Sequence, residues 1–253
     1  MRMSGDVGRT QWPGTSAADA SARETQRRDT ERSIGIAARE EGPLSATYDL
    51  QPAAQAVAEL LPAIADDQLT APTPCPDYRV RDLLFHVLGL SVAFRDAARK
   101  DLGPTTATAP SDMTPELPAQ WRSAIPARLD ELAAAWREPD AWEGMTQAGG
   151  VTLPASVAGR VALNELVVHG WDLARATGQA FDPAESAVRG SYEMLAASTE
   201  PARREPIFGP VVPVPDEAPL LDRAIGLSGR DPAWPNNNDH DTGSATSSTG
   251  QSG

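Results

Sequence analysis

The chain has 253 residues, a single cysteine and a net charge of −13. One thiol excludes an internal disulfide framework and suits a reducing cytoplasm, and an acidic chain repels phosphate backbones, which argues against a nucleic-acid partner. No apolar run reaches the roughly 18 residues of a membrane span, and the first residues lack the apolar block of a secretory signal.

Residues 1–45 carry seven arginines and seven acids, so the whole negative excess lies beyond Ser45. This stretch is rich in Ser, Thr, Gly and charged residues. It cannot bury enough surface to offset its ordering entropy, and a disordered arm is expected. Residues 22–39 could form a transient charged helix, but one without an apolar stripe. Residues 236–253, NNNDHDTGSATSSTGQSG, are expected to be a disordered tail. The folded part is then 46–235, about one domain by size.

Within it the spacing predicts five or six helices. The first spans about Leu50–Ile64, with Val57, Leu60, Leu61 and Ile64 on one side. Pro52 fits its first turn and Pro62 should kink or end it. A second, about Arg79–Lys100, repeats Val80, Leu83, Leu84, Val87, Leu88, Ser91 and Phe94 at helical spacing, with Asp77 as the expected N-cap. Residues 101–114 are expected to form a loop. A third helix covers about Pro115–Arg137, made less regular by Pro118 and Pro126. Trp142–Val151, with two adjacent glycines, suits a loop or a short extended excursion. The fourth helix, about Pro154–Thr177, has Pro154 at its start and Gly178 past its end. A fifth covers about Pro183–Ser198. Ile207–Pro215 (IFGPVVPVP) is expected to be extended, because alternate prolines forbid helix. A short last helix covers Glu217–Leu227.

The chemistry centres on the fourth helix. Glu165 and His169, four residues apart, stack about 40° apart on one face with Ala158, Val161, Ala162, Val168 and Asp172. Two titratable groups in a mostly small and apolar stripe need a reason, because an unpaired buried charge is costly. A metal would supply one. His86 lies beside the stripe of the second helix, 79 residues before Glu165, ample chain for two helices to pack. Bundles build metal sites from side chains on facing helices. His86, Glu165 and His169 would give three ligands and leave at least one position open, as catalytic sites do. The spacing alone leaves a hydrogen-bonded or ion-paired alternative open.

The segment TPCPDYRVRDLLFHVLGL (73–90) resembles the first metal-ligand motif of the mycothiol-dependent maleylpyruvate isomerase N-terminal domain, within the DinB-like superfamily. NELVVHGWDLARATGQ (164–179) resembles its second, and FGPVVPVPDEAPLLDRAIGLSGRDPAW (208–234) is similar to an actinobacterial subgroup. Tyr78 stands where the family often has Trp, and Arg79 where a capping Thr is usual. The resemblance implies an all-α, DinB-like four-helix bundle with extra short helices and an extended C-terminal segment. It implies a divalent metal on His86, Glu165 and His169, and a metal-bound mycothiol thiolate. The donor set suits zinc, and also nickel, iron or manganese.

Two neutral imidazoles, one carboxylate and a divalent ion leave a single positive charge, which a thiolate would cancel and which would lower a bound thiol's pKa. Two reactions follow. A mycothiol-dependent isomerase would add the thiolate to an activated cis-enoyl substrate, allow rotation and eliminate it. A thiol transferase would attack a small electrophile. A non-catalytic metal-binding sensor or scaffold module is the alternative. Asp172, one turn beyond His169, could accept a hydrogen bond from a ligand histidine, or could be an ordinary polar residue near a helix end. Trp171 points away and is expected to pack. Cys75 is read as a small residue between two prolines rather than a nucleophile.

Overall fold

The computed structural model describes residues 47–76, 78–109, 116–197 and 208–235. The expectations for 1–45, 236–253, Asp77 and His240 lie outside the described residues.

Helix α1 (Gln51–Leu60) starts with Pro52 in its first turn and gives way at Leu61–Ala63 to a 3-10 turn containing Pro62. A second 3-10 turn follows at Asp66–Thr70. Helix α2 (Val80–Arg99) buries Val80, Leu83, Leu84, Val87, Ser91 and Phe94 of the expected stripe, with Leu88 only partly buried against the core. Its N-cap is Arg79, not the expected Asp77; the Arg79 N–H donates to Asp82 Oδ2 at 3.1 Å. Asp82 therefore serves from the third helical position, where a carboxylate also suits the helix dipole.

The segment expected as a loop holds a one-turn helix, α3 (Pro104–Ala107). It is too short to leave a periodic signal. Tertiary bonds hold it instead: Thr105 Oγ1 donates to Asp96 Oδ2 at 2.7 Å, and Thr106 Oγ1 to Gln147 Oε1 at 3.2 Å. Helix α4 (Trp121–Trp136) begins later than expected, because Pro118 lies in the turn before it, while Pro126 is accommodated within it.

After a 3-10 turn at Pro139–Trp142, the two glycines form the tip of a hairpin. Strand β1 (Met145–Ala148) pairs antiparallel with β2 (Val151–Pro154), Met145 opposite Pro154 and Ala148 opposite Val151. Gly149 and Gly150 have φ of 57° and 81°, the left-handed pair that a two-residue hairpin turn requires. The tip also docks: the Gly150 N–H reaches Thr106 O at 2.8 Å, and a Cβ there would sit 2.9 Å from Ala107 O.

Helix α5 (Ala155–Thr177) ends at Gly178 in the left-handed conformation, as expected from its Gly. Helix α6 (Glu185–Ala196) and α7 (Leu220–Leu227) complete the set.

Among the described residues, seven helices and one two-stranded hairpin make the fold all-α. Helices α1 and α2 each pack on both α4 and α5, giving a four-helix bundle, with α6 outside α5 and α7 on α6. One apolar core runs through it and includes Leu50, Trp136, Leu163 and Leu173. Gly159 lets two indoles approach α5: a Cβ there would lie 2.6 Å from Trp142 and 2.8 Å from Trp136. No described helix is long and apolar enough to cross a membrane.

Candidate metal centre

Helix α2 brings His86 and helix α5 brings Glu165 and His169 to one point at their interface. His86 Nε2 lies 3.1 Å from Glu165 Oε2, and His169 Nε2 lies 3.2 Å from the same oxygen. The three ligand-type atoms all fall within 4.8 Å of one another and could hold a metal ion. A tetrahedral ion with bonds of about 2.0–2.1 Å separates its ligands by roughly 3.3–3.4 Å, a little longer than the 3.1 and 3.2 Å of these two edges. The sequence-predicted triad is thus assembled by packing.

The surroundings orient each ring. The His86 imidazole stacks on Tyr78, centroids 5.3 Å apart at 29°, and meets the His169 ring edge-on at 4.9 Å and 85°. His169 Nδ1 lies 2.9 Å from Asp172 Oδ2. Asp172 is 0% exposed. A carboxylate that accepts from Nδ1 keeps the ring proton on that nitrogen and leaves Nε2 to offer its lone pair at the convergence point.

Asp172 has a second partner that the sequence did not disclose. Arg230, from the segment after α7, donates through Nε to Asp172 Oδ1 at 3.0 Å and Oδ2 at 3.1 Å, and through Nη2 to Oδ2 at 2.9 Å. Its Nη1 donates to Ser228 O at 3.2 Å. The contact spans 58 residues, and Ser-Gly-Arg-Asp-Pro reads locally as a polar turn, so only a long-range pairing signal could have revealed it. The same C-terminal stretch seals this side of α5. Trp171 and Val168 pack with Ile225, with Trp234 and Leu221 against them. Arg175 Nε donates to Trp234 O at 2.9 Å. Trp171 is therefore packing, as expected. Cys75 is half-buried before α2, its N–H donating to Thr73 Oγ1 at 3.1 Å.

The charges are set by these contacts. Burial works against the Glu165 carboxylate, but His169 and then His86 hold its pKa well below the usual carboxylate range. Burial likewise disfavours a charged His169, yet Glu165 and Asp172 push it up to about 9. Asp172 and Arg230 cancel, so with a divalent ion, two neutral imidazoles and Glu165 the centre keeps one positive charge.

The family model for the mycothiol maleylpyruvate isomerase N-terminal domain matches residues 50–174. Two relatives from two strains of Mycobacterium tuberculosis, both described as uncharacterized proteins, are 34% identical over 197 residues, covering 71% of this chain and 94% of theirs. Two crystal structures of the mycothiol-dependent maleylpyruvate isomerase, one of them a single-site mutant, are 18% and 20% identical with TM-scores of 0.47 and 0.45. Each match covers 61% of this chain and 70% of the isomerase.

Proposed function

The chain belongs to the mycothiol maleylpyruvate isomerase N-terminal domain family, and on that premise we propose that it is a metal-dependent enzyme using a small thiol, mycothiol, on a small electrophilic or cis-enoyl substrate. The observation that carries this is the convergence of His86, Glu165 and His169 on one point, with Asp172 behind the last of them.

His86, Glu165 and His169 would hold the ion, zinc by preference of the donor set, with nickel, iron or manganese also compatible. When bound, a divalent ion lowers the pKa of a coordinated thiol and makes a nucleophile available at neutral pH. The protein's own groups do the rest. Glu165 supplies the one anionic ligand. Asp172 orients His169 and fixes its tautomer, and Arg230 pairs with Asp172 from the other side and holds its carboxylate in place. Tyr78 holds the plane of the His86 ring.

Elemental analysis of reconstituted protein tests the first half. Wild type should carry stoichiometric metal, and Glu165→Ala and His169→Ala should lose it while circular dichroism keeps most of the helix signal. Wild type without metal would reduce the triad to a hydrogen-bonded cluster. Thiol-dependent consumption of cis-enoyl acids and electrophiles tests the second half. A metallated protein that neither binds the thiol nor consumes any substrate would be a sensor or scaffold rather than an enzyme.

A further inference from the structure

On the side of α5 opposite His169, nine residues and a half-turn away, stands a cation with no counter-ion among the described residues. Arg160 is 7% exposed. Among the described residues nothing accepts a hydrogen bond from it, and its Nε is sealed from solvent and unpaired. Its guanidinium carbon lies 5.5 Å over the Tyr48 ring. That ring face favours a cation but satisfies none of its N–H groups. Glu193, which reaches the same tyrosine, accepts the phenol's hydrogen bond at 2.7 Å and forms no ion pair with Arg160.

Asn164 lies one turn on, along the same face, and is 2% exposed. Its Oδ1 accepts a hydrogen bond from Ser191 Oγ at 2.8 Å, from a serine that is itself fully buried. That bond occupies the amide oxygen, and no described residue accepts from its NH₂. Buried charges and donors are ordinarily paired, because leaving them unpaired is costly. The guanidinium and the amide present donors, and no acceptor, to the seam between α5, α6 and the entry of the fold at Tyr48.

We infer that Arg160 and Asn164 form a binding site for the carboxylate of a small organic acid, separate from the metal centre and sharing no residue with it. The carboxylate would take the two Nη groups of Arg160, the end of the fork not sealed from solvent, with the Asn164 amide as a further donor. A single positive charge neutralises one carboxylate. It would leave a phosphate dianion in excess, near the Glu193 carboxylate.

The test uses the full chain, titrated with sodium acetate, sodium succinate, inorganic phosphate or sodium chloride at matched ionic strength and followed by melting temperature and calorimetry. Acetate and succinate should stabilise saturably, and chloride should not. Arg160→Met should weaken acetate binding at least tenfold. Arg160→Lys keeps the charge but loses the fork, and should weaken it several-fold, as should Asn164→Ala. Wild-type affinity in Arg160→Met, or a response to chloride equal to that to acetate, overturns the site. Phosphate binding more tightly than acetate overturns its assignment to carboxylates. Should Arg160→Met fail to fold, wild type and Asn164→Ala decide: a wild-type chain with no saturable carboxylate response refutes the proposal.

Discussion

Replacing Asp172 by alanine removes one carboxylate and strands two partners. Asp172 is 0% exposed, and it accepts from His169 and, through three contacts, from Arg230. The Arg230 side chain is only 15% exposed, so the change leaves a largely buried cation unpaired. Breaking such a buried pair from one side costs about 3–5 kcal/mol. For a folded part of this size each kcal/mol moves the melting temperature by about 2–4 °C, so the metal-free variant should melt roughly 6–20 °C below wild type. A second effect acts on metal binding. With Nδ1 unheld, His169 is free to take the other tautomer or turn, and affinity should fall about 10- to 100-fold. Asp172→Asn keeps the shape and one acceptor oxygen, so it should recover much of the stability but not the metal affinity. Thermal melts followed by circular dichroism and zinc competition with a chromophoric chelator read the two effects separately. An Asp172→Ala chain that melts within 2 °C of wild type and binds zinc equally well would refute the reasoning on both counts, 2 °C being about the shift of a single kcal/mol.

The pH dependence has a defined sign. In the metal-free chain His169 is raised from 6.5 to about 9, so its contribution to stability is complete below pH 6.5 and disappears as the pH rises through about 9. The loss is roughly 3 kcal/mol at most. Zinc must displace that proton, so affinity should instead rise over the same window and level off above it; denaturant melts and chelator competition at pH 6.5 and 9 should move in opposite directions, and parallel movement would contradict the assignment. In the core, Trp136 is 1% exposed and donates through Nε1 to Phe94 O at 3.1 Å. Trp136→Ala should cost about 3–5 kcal/mol in denaturant unfolding, and a loss below about 1 kcal/mol would mean that its pocket collapses around the gap.

The bundle and the triad were legible because their signals are local. Apolar spacing marks α2 and α5, and Glu165 and His169 share a face by helix geometry alone. His86 stood out because the chain holds so few histidines. What was illegible depends on partners far along the chain. Arg230 sits in a polar turn that is unremarkable until Asp172 is placed beside it. Arg160 lies in a helix otherwise read as core, where nothing nearby announces that its Nε meets no acceptor among the described residues. Helix α3 is held by bonds from Asp96 and Gln147 rather than by its own propensity. The N-cap of α2 is Arg79, which offers no capping side chain; Asp82, three residues on, accepts from its backbone N–H instead, a signal that Asp77 outweighs in the sequence.

The clasp from Arg230 onto Asp172 has a consequence for the order of synthesis. A ribosome delivers His86, Glu165 and His169 well before residue 230, so a half-made chain owns all three donor residues while Asp172 still lacks its cation. Until that guanidinium arrives, a second negative charge stands uncompensated beside His169 and invites stray cations or protons. The finished geometry therefore waits for residue 230, and a nascent chain arrested before it should bind zinc with altered strength.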